Sequence, residues 1–454
     1  MGMRERRIRN RWAAAGLVGA VGAVFMFIVT FARLGAPQTA SSETGVSEVT
    51  YSRDVAPVLQ SSCVECHRPG GVAPFSLLSY EEARDRAPLI RGVTENRLMP
   101  PWKAAGDYGE FRNELRLSAA EIDTIGRWVD AGAPEGDPAD LPPPREFPSG
   151  WRLGTPDIVL DPGADFRVRP KEGDVYWSFV LPFKPKEDVW VSALEVMPGA
   201  PEVVHHLGLI IDPEGKSIAL DRASPGVGFP SGPGFMPNII MDFWTPGSTP
   251  RFLDPGTAWK IPANSNLVLD IHYHTHGEPR IDRTRIGLYY AKGPIVKRVR
   301  FGAVGNTTFA IPPGESRYGI AASRTVPHDI HLVSGWPHMH YLGREMKVWA
   351  TLPDGATAPV VWVPDYDLHW QTVYILKEPL ALPSGSKMEL QAFYDNSKDN
   401  PLNPRKKPRT VYFGQRATDE MCFFYFNYTV DSEDLTEGRH VGFDGLELAI
   451  GAGD

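Results

Sequence analysis

From Trp151 onward the chain is a succession of short apolar runs broken by Gly, Pro, Asp and Asn. Runs such as Val189–Val196, Val203–Ile211, Leu267–His272 and Phe423–Val430 have the length and composition of strands, with turn formers at both ends. This punctuation leaves no room for long amphipathic helices. An ordinary sandwich uses about 100 residues, so a stretch of this length predicts two β-sandwich domains, over 151–302 and 303–454. The 44 Gly and 43 Pro supply the turns. The 12 Trp, 15 Tyr and 21 Phe supply large cores and exclude global disorder. A formal charge of -8 argues against a nucleic-acid partner, and three cysteines exclude a disulfide framework.

Upstream the pattern changes. Residues 50–133 read as a compact helical segment. Its last helix opens on Ser118 and Glu121, a capping box, and carries Ile122, Ile125 and Trp128 on one stripe. Residues 134–150 form a Pro-rich linker, and residues 34–49 a small polar tether. At the start, Arg4, Arg6, Arg7, Arg9 and Arg11 precede an uncharged stretch from Trp12 to Ala32. Such a length crosses a hydrocarbon core of about 30 Å, and the basic flank stays cytoplasmic. The stretch is longer than a signal peptide's apolar region and no clean A-x-A site follows it, so residues 1–33 are expected to be an uncleaved anchor. The predicted fold class is therefore multidomain: an N-terminal transmembrane helix, an all-α domain, then two all-β jelly-roll-like sandwiches. The expected location is a bacterial inner membrane, single-pass, with the bulk of the chain in the periplasm.

Cys63-Val64-Glu65-Cys66-His67 is a C-x-x-C-H motif. Its spacing lets two thiols bind the haem vinyl groups while His67 ligates the iron. A zinc site would need a second ligand pair, which is missing. Between His67 and His205 there is no other His, and Met99, on a proline-fixed loop, is the one Met between Met26 and Met197. Elimination thus makes Met99 the sixth ligand, a pair suited to electron transfer. Residues 50–133 resemble a class I cytochrome c domain, which implies one covalently bound c-type haem.

Eleven of the 12 histidines lie after residue 200. Three groups stand out: His205-His206, His272-Tyr273-His274-Thr275-His276, and His338-Met339-His340. Positions two apart on a strand share a face, so His338 and His340 can share a metal. The adjacent pair His205-His206 needs an edge position or a twisted backbone to do so. Imidazole and thioether donors favour copper, while imidazole also suits zinc. Periodicity does not choose between them, and no H-E-x-x-H signature is present.

Residues from about 151 to 450 resemble the copper type II, ascorbate-dependent monooxygenases. Val203-Val204-His205-His206-Leu207 resembles the family's paired-His motif. Leu267–His274 resembles the strand with that site's third His, and Gly287-Leu288-Tyr289-Tyr290 follows at a similar distance. Trp336-Pro337-His338-Met339-His340 resembles the H-x-H motif of the oxygen-activating site. Asp419-Glu420-Met421-Cys422 resembles the segment supplying its Met. The resemblance implies two copper ions. His205, His206 and His272 would hold one, for electron transfer. His338, His340 and Met421 would hold the other, for oxygen chemistry. It also implies two sandwiches facing across a solvent-filled cleft, and insertion of one atom of O2 into a substrate C–H bond with two external electrons.

The sequence departs from the family in places. Trp336 stands where the peptide-amidating enzymes carry an arginine, so a C-terminal glycine peptide is not the expected substrate. Cys422 lacks a bonding partner, with Ala392 in the facing strand, and is expected to be a buried free thiol. His274 and His276 are read as supporting or surface groups, and His328, His331, His369 and His440 likewise. Trp336, Phe423 and Tyr425 would line the oxygen-activating side, which implies a small apolar or aromatic substrate. The expected electron donors are a periplasmic cytochrome, a membrane quinol chain or ascorbate, feeding copper through the haem. The rival reading is a periplasmic haem and copper electron-transfer or copper-handling protein without oxygenase activity. A zinc hydrolase would leave the haem motif unexplained.

Overall fold

A computed structural model describes residues 48–169, 174–231, 239–275, 277–442 and 446. Two pairs of sheets dominate, with strands numbered in chain order. In the first pair, one sheet has the order β1 (Ile158–Leu160), β11 (Arg285–Tyr290), β4 (Val189–Met197), β8 (Thr257–Ile261), β12 (Lys297–Arg298). The other has the order β6 (Phe229–Pro230), β3 (Val175–Leu181), β9 (Asn266–Tyr273), β5 (Val204–Asp212), β7 (Ile239–Trp244). Leu207, Leu209 and Ile211 of β5 and Leu267, Leu269 and Ile271 of β9 face Ile286 and Leu288 of β11 across one core. The period-2 alternation of these strands decides which residues meet there.

The second pair joins β13 (Arg300–Gly305), β22 (Phe423–Val430), β16 (Ile330–His338) and β19 (Tyr374–Leu382) to a partner sheet. That partner has the order β15 (Tyr318–Thr325), β20 (Lys387–Tyr394), β17 (Gly343–Thr351), β18 (Thr357–Val363). Phe424, Phe426 and Tyr428 of β22 pack on Met346, Val348, Leu390 and Ala392. Two small ribbons complete the strands, β2 (Phe166–Val168) with β10 (Arg280–Asp282) and β14 (Ala310–Ile311) with β21 (Val411–Tyr412).

A separate all-α domain is not what the upstream residues form, and this corrects the predicted fold class. Strand takes 35% of the chain and helix 14%. The helices here are short: α1 (Ala56–Ser62), α2 (Tyr80–Arg84), α3 (Ala87–Glu95) and α4 (Ala119–Asp130). Ser118 and Glu121 do cap α4 reciprocally, and Ile125 and Trp128 are buried beneath it. Yet Glu48–Asp454 is one compact unit. The loop between α3 and α4 explains this. Trp102, Ala104 and Phe111 enter the core of the second sandwich, and backbone bonds run from Ala105 N to Trp362 O (2.8 Å) and from Arg112 N to Ile375 O (2.8 Å). The helices keep a small core of their own around Val55, Leu59, Ile125 and Trp128, but this loop spends its apolar side chains on the neighbouring sandwich. Glu65, inside the C-x-x-C-H motif, is gripped by Arg152 (2.7 and 3.1 Å) and Arg145 (2.8 Å), which ties the motif to the start of the first sandwich. The predicted transmembrane stretch lies outside the described residues. Among those described, no helix is long and apolar enough to cross a membrane.

The two sandwiches also meet differently from the implied solvent-filled cleft. Ile210, Ile240 and Val268 of the first pack against Phe301, Trp336, Phe423 and Tyr425 of the second in one buried cluster. The sheet holding β5 and β9 is thus covered on both faces. Its inner face serves its own core, and its outer face carries the histidines toward the second sandwich.

Candidate metal centre

The paired histidines share a face because the strand is bulged. Pairing of β5 with β9 shifts register between Val204 and His206. A bulge adds one residue on one side of a ladder and re-aims its side chains. His206 then sits directly opposite His272 on β9. Ring nitrogens of His205, His206 and His272 all lie within 4.8 Å of one another. The Nδ1 atoms of His205 and His206 are 3.0 Å apart. Metal–imidazole bonds of about 2.0 Å at tetrahedral angles place ligand nitrogens roughly 3.3 Å apart, so the spacing fits a shared ion. His205 Nε2 and both nitrogens of His272 are buried without a hydrogen-bond partner among the described residues. Burial pushes the basicity of all three rings down, and the neighbouring imidazoles push His205 and His206 further, so they stand neutral as ligands must.

Asp174 supports this group. Its carboxylate lies 2.6 Å from His274 Nδ1 and accepts from the Tyr341 hydroxyl at 3.0 Å. His272 Nε2 is 3.5 Å away, a charge contact rather than a formed hydrogen bond. Burial opposes the charge on Asp174, but the two imidazoles outweigh it and hold the carboxyl well below its usual range. Tyr176 stacks on His272 with ring centroids 4.1 Å apart.

The second group also depends on a register shift. Ile330 and Leu332 of β16 face the core of the second sandwich. Pairing shifts between Leu332 and Ser334, after which Trp336 pairs with Tyr425 and His338 with Phe423, on the opposite face. Without that extra residue the even-numbered side chains would continue into the core, and His338 would be lost to the site. His338 and His340 are buried with ring centroids 5.2 Å apart. Each has its Nδ1 engaged, His338 with Gln371 Oε1 at 2.6 Å and His340 with the Asp419 carbonyl at 3.2 Å. A donor at Nδ1 leaves Nε2 as the ligand atom. Burial pushes His338 down to about 4, although Gln371 pulls the other way.

Met421 belongs to the same neighbourhood. Glu420 accepts from the backbone N–H groups of His340 (2.9 Å), Leu342 (2.6 Å) and Met421 (3.2 Å), so one buried carboxylate ties the H-x-H turn to the methionine segment. Met421 is buried in the same cluster as Trp336. Cys422 is a free, buried thiol.

The two groups adjoin. The rings of His206 and His338 are 5.9 Å apart, with Trp336 5.5 Å from the first and 4.6 Å from the second. On the far side, His274 and His369 extend the array, 6.1 and 6.0 Å from His205 and 5.3 Å from each other. Sequence reasoning passed over Asp174, Tyr341, Gln371 and Glu420 and gave His369 no role. Asp174 and Gln371 reach the site by tertiary contact, whereas Tyr341 and Glu420 adjoin His340 and Met421 in sequence and are set apart only by what they bond to. His276 lies outside the described residues.

At the haem motif, Cys63 follows α1, and both Cys63 and Cys66 are free and partly exposed. His67 Nδ1 lies 3.2 Å from the Phe75 carbonyl, which leaves Nε2 for an iron. Met99 is half-buried on the loop after α3.

Fold and site together give two packed β-sandwiches with grouped nitrogen and sulfur side chains of the kinds that suit copper. Residues 301–437 match the family described as copper type II ascorbate-dependent monooxygenase, C-terminal domain. The match supports a copper monooxygenase-like oxidoreductase for this part of the chain. No curated protein matches the chain. Among solved structures, an infectious bursal disease virus structure is 10% identical over 67% of this chain and 77% of its own, with a TM-score of 0.18. A two-domain protein of unknown function from Bacteroides fragilis is 8% identical over 56% of this chain and 84% of its own, with a TM-score of 0.15. Likenesses this slight carry no argument.

Proposed function

We propose that the protein is an exported dicopper monooxygenase that hydroxylates a C–H bond of a small organic substrate with O2. The observation that carries the proposal is the three-imidazole group, half-buried at His205 and His206 and buried at His272, beside the pair His338 and His340. His205, His206 and His272 would hold one copper, and His338, His340 and Met421 the other. Copper supplies one-electron redox chemistry and O2 activation when bound. The chain's own part is positional. The two register shifts aim the imidazoles, Gln371 and the Asp419 carbonyl fix which nitrogens face the metal, and the aromatic cluster keeps water away. The 5.9 Å between His206 and His338 gives electrons a short path from one group to the other.

Cys63, Cys66 and His67 would hold a c-type haem, with Met99 as second axial ligand, that passes electrons from a periplasmic donor, a quinol chain or ascorbate to the first group. The ion pairs of Glu65 with Arg145 and Arg152 would keep that haem in place against the first sandwich. The test is a single turnover with labelled O2 on the reduced, copper-loaded protein against a panel of small aromatic and aliphatic compounds. One labelled oxygen in a product, lost in Met421→Ala while the haem spectrum is unchanged, is the expected result. Label incorporation that survives Met421→Ala rejects the assignment.

A further inference from the structure

Between the two sandwiches lies a cavity of about 80 Å3 whose charged groups are Asp242 and Arg251, with Asn113, Ser248, Thr249 and Trp259 as further polar lining and Leu194, Val196 and Val373 on its apolar wall. A smaller recess shares Asp242, Phe243 and Val373 with it and reaches Trp336, Tyr425 and Asn427. Trp336 in turn packs 4.6 Å from His338. The cavity therefore adjoins the second histidine group through a wall of aromatic rings.

Its polar groups are sorted by type. Arg251 is largely buried and feels Asp242 through charge alone, with no hydrogen bond from its guanidinium among the described residues. Trp259 Nε1 is buried without an acceptor. These are two donors. Asp242 accepts only the Phe243 N–H (2.9 Å) and a long contact from Asn427 Nδ2 (3.4 Å), and Asn427 Oδ1 is buried without a donor. Asp242 is thus the acceptor in the cavity, and Asn427 lies in the adjoining recess. Opposite charges placed in one cavity without forming an ion pair leave space for a dipolar molecule between them, and buried groups without partners reward whatever satisfies them.

We propose that this cavity binds a small zwitterion, of which an α-amino acid is the simplest. Its carboxylate would meet Arg251, its ammonium would meet Asp242, and its side chain would lie against Phe243 and Val373. At about 10–15 Å3 per water-sized atom, the space holds roughly six heavy atoms, the size of alanine. The proposal rests on the oxygenase reading only in making this ligand the substrate. Binding itself needs no metal.

The test is calorimetric titration of the full chain, without copper, with alanine, propionate and propylamine. Alanine is expected to bind at least about tenfold more tightly than either one-charge analogue. Arg251→Gln should erase its advantage over propylamine, and Asp242→Asn its advantage over propionate. Equal binding of the three ligands, or alanine that fails to saturate the wild-type chain, overturns the proposal without recourse to variants. Alanine binding in the absence of oxygenation supports the cavity and counts against its ligand being the substrate. Oxygenation of another compound that alanine does not inhibit overturns the cavity and leaves that reading intact.

Discussion

The two histidine groups rest on different supports. His205, His206 and His272 stand on paired strands in the middle of one sheet, and three of their six ring nitrogens are buried without a hydrogen-bond partner among the described residues. The backbone ladder and one bulge place them. His338 stands at the end of a strand and His340 just past it, and each is oriented by a side chain or carbonyl from elsewhere in the chain. The first group is fixed by secondary structure, the second by tertiary hydrogen bonds. A site of the first kind is robust to changes around it, whereas one of the second kind fails when its supports are removed.

The contrast can be broken most sharply by deleting a ligand. His272→Ala is expected to remove one copper completely and leave the other, so metal analysis should fall from about two ions per chain to about one. Retention of both would show that the three-imidazole group is not a site. Next in size is Glu420→Ala. It strands three backbone N–H groups, each costing about 1–3 kcal/mol. Stability in urea should drop by about 3 kcal/mol or more, and the second copper should be lost while the first is kept. Loss of the first copper instead would erase the distinction between the two supports.

The interface between the two sandwiches carries a titrating residue outside both groups. Burial raises Asp242 to about 6, with Arg251 and Asn427 pulling the other way. A carboxyl whose folded pKa is raised binds its proton more tightly in the native state. Stability from this group is therefore present below the unfolded value of about 3.9 and falls as pH rises to about 6, by up to about 3 kcal/mol. Asp242→Asn should flatten that part of the pH–stability curve, and an unchanged slope would place the carboxyl in ordinary solvent. Smallest is the matched pair Gln371→Leu and Asp174→Asn. Removing the partner of a ligating imidazole costs about 10–100-fold in metal affinity. Gln371→Leu should weaken the second site by that factor. Asp174→Asn should weaken the first by less, because His272 is 3.5 Å from the carboxylate. Equal losses in a copper-competition assay would mean that both sites depend on tertiary support alike.

The strands bearing the ligands were legible from alternation and turn residues. β4, β5, β9 and β22 lie within a residue of the runs Val189–Val196, Val203–Ile211, Leu267–His272 and Phe423–Val430. The bulges were not, because a bulge changes pairing without changing composition. Only the awkward adjacency of His205 and His206 pointed to one. The upstream residues misled for a related reason. Helical periodicity reports α4 correctly but says nothing of where Trp102 and Phe111 are buried, so a segment that completes the second sandwich read as an independent domain. Gln371, Asp174 and Glu420 were invisible because a supporting polar residue looks like any surface polar residue until the fold brings it to its partner.

X-ray absorption at the copper edge tests the central claim most directly. With the chain loaded and reduced, the account predicts copper bound by imidazoles with an average of one Cu–S bond per two copper ions, and a Met421→Ala variant with no sulfur contribution. An all-nitrogen spectrum in the wild-type chain, or a sulfur signal that survives the substitution, would contradict it.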